Sequence, residues 1–424
     1  MLEKFFKIQE RGTTLSKEIY AGLVIFTITS YIIFVLPAFL SSVGINANVA
    51  FMSICLTMAA SCILLGLITN LPLIMGPTST ITIIVSYTIM LGMGFTYGNA
   101  LVISLICAII VIICSFFVSK EFLNSALPAS LKTSISAGIG FFILFIGLKN
   151  AGIVIPDSHT FITLGNVHSH TVLLTAISLL ILIVAHSYKK NYVTFLVIIA
   201  LSFYAYLTKE THFSGIINTN LSNIPFLEYD FNNLARISIF SAILGLLLAA
   251  NFDTLATILG YSYLSKTENE LSGNIKKLYF TKGITSSIAT LLGSPPNGLF
   301  LESNMGIPLG AKTGIVPIIV GILFFIMVFF SPLLTLIPLW ATSPLLIFIG
   351  LLMGSSVKQL PWDNELEYFP ALLCIISMPL THSIVNGIAI GFISYSLVQL
   401  IAGRIKTTPK ATIVISILFF LTFI

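Results

Sequence analysis

Apolar runs of roughly twenty residues, the length that crosses about 30 Å of hydrocarbon, recur along the chain with short polar intervals between them. They fall at about 18 to 40, 49 to 69, 80 to 93, 98 to 118, 133 to 149, 171 to 187 and 192 to 207. A polar interval from Thr208 to Ala235 follows, with Lys209, Glu210, Glu228 and Asp230. The second set lies at about 236 to 262, 278 to 293, a broken element over 291 to 313, then 313 to 331, 343 to 355, 368 to 381 and 384 to 403. The pattern predicts an all-α polytopic membrane protein of fourteen transmembrane segments, seven plus seven. An odd number per half inverts the second repeat relative to the first. The expected organisation is a cytoplasmic N-terminal segment 1–17, a first seven-span repeat 18–207, an extracytoplasmic linker 208–235 and a second, inverted repeat 236–403. Residues 404–424 add a basic turn and a short apolar segment, in which Ala411 to Ile424 is too short to be assigned a span.

The tenth span departs from the pattern. Its sequence from Leu291, LLGSPPNGLFLESNMGIPLGAKT, carries Pro295, Pro296, Asn297, Gly298 and Gly306 with one carboxylate, Glu302. Tandem prolines remove backbone donors and clash with the preceding turn, so an extended stretch from Ser294 to Phe300 is predicted, then a half-helix starting near Glu302. The third span opens in a similar way, Leu71-Pro72-Leu73-Ile74-Met75-Gly76-Pro77-Thr78-Ser79-Thr80. Irregular backbone at membrane depth survives only where protein or a wet cavity surrounds it. Interrupted segments at matching positions of two halves point to a central transporter site with half-helix ends facing the ligand.

Charge sets the orientation and excludes several functions. Only 8% of residues are charged, against about 25% in a soluble domain. The net charge of +5 comes from basic residues scattered in short loops, so it says little about nucleic acid, which is not an expected partner, and serves to set topology. Lys4 to Lys17, Lys120, Lys132, Lys189, Lys190, Lys266, Lys276, Lys277, Lys312, Lys358, Arg404 and Lys406 all fall on one side of fourteen spans, while the loops at 41 to 48, 94 to 97 and 332 to 342 carry no Lys or Arg. The positive-inside rule makes that side, and the N-terminus, cytoplasmic. The first seventeen residues have no central apolar run or cleavage site, so no signal peptide is expected. Five cysteines inside apolar segments imply packing rather than a disulfide framework.

Charges inside the membrane are costly and need a reason. Asp253 lies well inside the eighth span, within Ala249-Ala250-Asn251-Phe252-Asp253-Thr254, and Glu302 heads the half-helix of the tenth. Both suit proton coupling together with contact to a polar ligand; the alternatives are a helix cap for Glu302 and a structural tie for Asp253. Thr80, Thr82, Ser294 and Asn297 are the neighbouring polar residues expected to line the pocket. Lys282, read as one turn from the cytoplasmic start of the ninth span, is explained by snorkelling, and Lys149 and Arg236 read as interface anchors. His159, His168 and His170 share an outer loop without a metal-binding spacing. Gly138-Ile139-Gly140 lacks the rest of a dinucleotide fingerprint and reads with Ser134 as close helix packing. No nucleophile and base pair, HExxH or Walker motif is present, so neither an enzyme, a metal site, a cofactor nor ATP-driven transport is expected.

Several stretches together carry a resemblance. They are Arg11-Gly12-Thr13-Thr14 with Glu18-Ile19-Tyr20-Ala21-Gly22, Tyr31-Ile32-Ile33-Phe34-Val35, Ser134 to Gly140 with Phe145 to Val154, Phe252-Asp253-Thr254, Glu302-Ser303, and Met378-Pro379-Leu380-Thr381 with Gly387-Ile388-Ala389. In these the chain resembles the adenine/guanine/hypoxanthine permease branch of the xanthine/uracil permease superfamily, in order over nearly its whole length. The resemblance implies two inverted seven-span repeats, with spans 1 to 4 and 8 to 11 forming a core and spans 5 to 7 and 12 to 14 a gate against which the core slides as an elevator. It implies proton-driven uptake of a nucleobase, a homodimer, and substrate-binding acids at Asp253 and Glu302. Three positions depart from the family pattern. Thr82 stands where relatives carry an asparagine, Ser294-Pro295-Pro296-Asn297-Gly298 replaces a threonine run, and Leu36 precedes Pro37 where asparagine is usual. A hydroxyl cannot supply the paired donor and acceptor of an amide, so a relative's base selectivity does not carry over with the fold.

The resulting expectation is a proton-coupled importer of a purine-like nucleobase in the lipid bilayer of the cytoplasmic membrane. Two alternatives stay open: the same fold carrying another small polar or anionic metabolite, and a non-transporting membrane receptor.

Overall fold

The computed structural model describes residues 2–117, 128–188, 193–211, 215, 217, 226–232, 234, 238–265 and 268–423. Parts of the 208–235 linker, and Lys120, Lys189, Lys190, Arg236 and Lys266 used above, lie outside the described residues. Among the described residues nine helices are long and apolar enough to cross a membrane. The other expected segments, the third, seventh, ninth, tenth and thirteenth, are shorter, broken or more polar. Outward faces are apolar: on helix His170–Ser187 the residues Leu173, Ile177, Leu180 and Val184 are all exposed. Such a stripe would be unstable in water and suits lipid.

The contacts divide the chain into two units. The first comprises 1–128, 218–331 and 409–424, the second 129–217 and 332–408. This grouping gathers spans 1 to 4 with 8 to 11 and spans 5 to 7 with 12 to 14, as the core and gate of the resemblance require. Ala411 to Ile424, unassigned above, forms helix Lys410–Phe423, which packs against the eighth-span helix within the first unit.

In the first unit, span 1 is two helices, Leu15–Thr29 and Ile32–Ser41. The break has a local cause, because hydroxyls bonded back onto helix carbonyls bend the helix. Thr29 Oγ1 donates to the Ile25 carbonyl at 2.8 Å and Ser30 Oγ to that of Thr27 at 2.8 Å, and Tyr31 is left at the joint. The predicted interruptions of spans 3 and 10 are present as strands β1 (Met75–Pro77) and β4 (Asn297–Leu299). They pair antiparallel, Met75 opposite Leu299, Gly76 opposite Gly298 and Pro77 opposite Asn297. Helix Ser79–Ile83 then opens into a π-helical stretch to Gly92, and a 3₁₀ stretch Leu301–Leu309 follows β4. Leu65, Leu73, Met75, Ile258, Leu278 and Leu299 form the buried apolar packing around the strands.

Polar ties close the N-terminal end of this unit. Arg11 Nη1 donates at 2.7 Å to the carbonyls of Asn70 and Lys312, and Asn70, in the left-handed region at φ 49°, accepts the Gly314 amide at 2.8 Å. Glu18, fully buried, accepts from the Lys312 amide and from the amide and hydroxyl of Thr313, capping helix Ile315–Met327 from outside. Elsewhere in the unit, Asn99 Nδ2 holds the carbonyls of Asp230 and Asn232. The Asn232 amide and the Thr96 hydroxyl hold the half-buried Asp230 below the usual carboxylate range.

The second unit is held by glycine contacts. A Cβ on Gly140 would sit 2.5 Å from the Gly354 nitrogen, and one on Gly350 would sit 2.6 Å from that of Leu144, so Ala129–Asn150 and Ser343–Gly354 meet backbone to backbone. This is the close packing expected of the Gly138–Gly140 stretch. The loop after span 5 is a hairpin, β2 (Val154–Asp157) and β3 (Phe161–Leu164), which the apolar pattern did not announce.

A similar crossing in the first unit is the most exacting. Cβ atoms would lie 2.3 Å from the Gly314 carbonyl oxygen at Gly66 and 2.1 Å from the Gly66 carbonyl oxygen at Gly314. Neither backbone can retreat, and overpacking of this kind costs about 1–3 kcal/mol or more. Gly66→Val and Gly314→Val are therefore each expected to lower the detergent-solubilised unfolding midpoint by several degrees. Wild-type melting of both variants would refute the crossing.

Candidate functional site

The strand pair carries unusual obligations, because each unpaired backbone group in an apolar interior costs the full desolvation of that group. The surrounding helices meet them one at a time. Cys62 Sγ donates to the Met75 carbonyl at 3.2 Å, the Ile74 amide reaches Ser303 Oγ at 3.0 Å, and the Phe300 amide reaches the Ile74 carbonyl at 3.2 Å. The Asn297 amide donates to Ser286 Oγ at 3.0 Å and Thr257 Oγ1 to the Leu299 carbonyl at 3.3 Å. Side chains of spans 2, 8 and 9 thus hold two short strands that three residue pairs could not hold alone.

The carboxylates converge on this frame. Asp253, on helix Ser238–Ser265, accepts from Thr78 Oγ1 at 2.8 Å and Thr80 Oγ1 at 3.4 Å. Thr78 also caps helix Ser79–Ile83, its oxygen accepting from the Ile81 amide at 3.4 Å. One hydroxyl therefore links the half-helix N-terminus of span 3 to the acid of span 8. Glu302 lies in the first turn of the 3₁₀ stretch after β4, and its Oε1 accepts from Tyr31 Oη at 2.9 Å. The elements that carry the two acids pack on each other, with Asn304 Nδ2 of the 3₁₀ stretch donating to the Thr257 carbonyl of helix Ser238–Ser265 at 3.2 Å.

The other candidates are placed differently. Thr80 faces Asp253, but the buried Thr82 gives its hydroxyl to the Thr78 carbonyl at 2.9 Å, on its own helix. Asn297 is fully buried and turned toward spans 2 and 9, its Nδ2 donating to Ser61 Oγ at 2.7 Å. Its Oδ1 has no hydrogen-bond partner among the described residues, nor has the hydroxyl of the equally buried Ser294. An acceptor and a hydroxyl are thus left for water or a ligand.

Lys282 corrects the reading of its sequence. The ninth-span helix runs Glu268–Leu291 rather than starting near 278, so Lys282 lies roughly 20 Å along it at 1.5 Å per residue. It is 1% exposed and does not snorkel; Nζ donates to the Ala250 carbonyl and to Thr254 Oγ1, each at 2.7 Å, one residue from Asp253. The overlooked signal was its neighbours: Thr281, Gly283, Thr285 and Ser286 are small or polar, whereas a lipid-facing lysine stem has an apolar surround. Tyr31 and Glu18 were likewise not singled out, since their partners, Glu302 and Thr313, are some three hundred residues away. Among the described residues no cluster of His, Cys, Asp or Glu could hold a metal, and all five cysteines are free.

Comparisons with known proteins agree with this geometry. The model described as "Permease family" (Xan_ur_permease) matches residues 16–390. The chain is 29% identical over 424 residues to the adenine permease AdeP of Escherichia coli K12, covering 99% of this chain and 95% of the relative. It is 32% identical over 432 residues to the guanine/hypoxanthine permease PbuO of Bacillus subtilis 168, covering 98% and 99%. In fold it is similar to the transmembrane domain of the cyanobacterial bicarbonate transporter BicA, with a TM-score of 0.67, 13% identity and coverage of 88% of this chain and 97% of that one. The inward-facing murine anion transporter Slc26a9 gives 0.66, 12% identity and coverage of 92% and 69%. With broken spans that meet as a strand pair, two opposed acids and a family match over most of its length, the chain is a multi-pass membrane permease rather than an enzyme and belongs to the xanthine/uracil permease family.

Proposed function

We propose that this permease is a secondary active transporter that takes up a purine-like nucleobase together with a proton. The observation that carries the reading is the meeting of Asp253 and Glu302 at two opposed broken spans, each acid held by a hydroxyl from another span. A purine edge offers N–H donors and ring-nitrogen acceptors side by side. Asp253, oriented by Thr78 and Thr80, is an acceptor for an N–H. Glu302 can donate when protonated and accept when ionised, so one site reads the base and carries the proton. The unpartnered Asn297 Oδ1 and Ser294 hydroxyl, with Thr80, supply further polar contacts, whereas Thr82 is occupied by its own helix and contributes shape. The names of AdeP and PbuO support a purine base as cargo.

All of these residues belong to the first unit. A body that contains the entire site can carry it across the membrane by moving as a whole, which is the elevator form of alternating access. The basic loops orient the N-terminus to the cytoplasm of a cell whose cytoplasmic membrane holds the protein, as the homodimer of the resemblance. A second reading, a small anionic metabolite as cargo, draws on the fold shared with bicarbonate and anion transporters. It predicts that organic anions and not bases compete for uptake.

In proteoliposomes with an inward proton gradient, labelled adenine, guanine or hypoxanthine is expected to accumulate, and a protonophore to abolish accumulation. Glu302→Gln should remove the pH dependence and reduce gradient-driven uptake to background; accumulation at the wild-type level in that variant contradicts the assignment. Thr78→Val preserves shape but leaves Asp253 without its shortest donor, a loss of about 1–3 kcal/mol. Its apparent affinity for base should fall by roughly tenfold or more while Thr78→Ser stays near wild type, and equal affinities in all three would remove Thr78 from the site.

A further inference from the structure

Lys282 is among the largest fully buried side chains, and the transport reading gives it no task. Its ammonium has three donors and no acceptor. They meet the Ala250 carbonyl at 2.7 Å, Thr254 Oγ1 at 2.7 Å and Asn251 Oδ1 at 3.4 Å. The Thr254 hydroxyl proton is already given to the Ala250 carbonyl at 2.8 Å, so all three groups present lone pairs to Nζ. A neutral amine would have to set its own lone pair against one of them. The surroundings are built for a cation.

The groups around it define the charge count. Span 8 contributes Asp253, which lies between Ala250 and Thr254, the two residues that hold Nζ, and span 9 contributes the Tyr279 ring, 5.6 Å below Nζ. Span 10 contributes Glu302, held by the Tyr31 hydroxyl, and span 3 contributes the neutral hydroxyls of Thr78 and Thr80. The site therefore holds two acids and one fixed cation.

We propose that Lys282 is a tethered counter-cation that keeps Asp253 ionised throughout the transport cycle, leaving Glu302 as the one group that takes up and releases a proton per base. This rests on the proton-coupled permease reading. It deepens that reading by dividing the labour of the two acids: Asp253 is a permanent acceptor, so the cargo must present an N–H donor to it. Lys282 acts through Asp253 and is a positioning residue.

Without the lysine, Asp253 must bring its own proton. The proton-to-base ratio, read from reversal potentials in proteoliposomes, should be one for the wild type and for Lys282→Arg, whatever the latter's rate. It should be two for Lys282→Met, with uptake displaced to lower pH and its dependence on proton activity steepened from first to second order. A Lys282→Met protein that keeps one proton per base and the wild-type pH profile, losing only rate, overturns the proposal in favour of a brace between spans 8 and 9. Where Lys282→Met moves no base, thermal unfolding in detergent decides. Its midpoint should rise as pH falls, because protonation of Asp253 removes an uncompensated buried charge, and Lys282→Met/Asp253→Asn should lose that slope; equal slopes refute it. If Lys282→Met gives no folded protein, recovery of folded protein in the double variant supports the proposal and its failure refutes it. A wild-type chain that moves no base sinks the transport reading alone, and the unfolding comparison still tests the lysine.

Discussion

Two strands of three residues, enclosed by apolar helices, must have every peptide group accounted for, and this obligation organises the first unit. Their mutual pairing satisfies only part of it. Further bonds come from Cys62, Thr257, Ser286 and Ser303, each sent from a different element to one backbone group in or beside the strands. A small or polar residue at each of these places is therefore a structural requirement. The broken backbone is tolerable because it is surrounded by protein, and the same break exposes the helix start at which Thr78 meets Asp253.

The second constraint is electrostatic. Acids on spans 8 and 10, carried by elements that pack on each other, would be costly in a dry interior. The structure distributes that cost over Thr78, Thr80 and Tyr31 as donors and over Lys282 as a buried cation. On the proposed reading, this distribution lets one acid stay charged while the other exchanges its proton. Both tasks depend on hydrogen-bond partners supplied by other spans, so neither acid can be understood from its own helix.

The fold shared with bicarbonate and anion transporters separates architecture from cargo. At 12–13% identity the overall path of the chain is kept while the side chains at the crossing are free to differ. Function accordingly lies in the grafted site rather than in the scaffold, and on the proposed reading the polar groups at the strand pair are where a base would be told from an anion.

By itself the sequence determined the class of the protein, its succession of apolar segments and the two interruptions, and it singled out the two acids, because each is a local property: length of apolar run, tandem proline, a charge with no adjacent polar surface. Tertiary structure alone decided which groups meet. The pairing of Gly76 with Gly298, the Tyr31 hydroxyl on Glu302 and the Glu18 cap on Thr313 join residues hundreds of positions apart. The clearest case is Lys282. Its helix begins earlier than hydropathy suggested, since polar residues 268–277 dilute the apolar run, and a side chain that looked near the membrane surface is instead enclosed beside Asp253. Hydropathy measures how readily a segment leaves water, whereas burial of a charge depends on the oxygens that neighbouring helices bring to it, and those are set only when the helices pack.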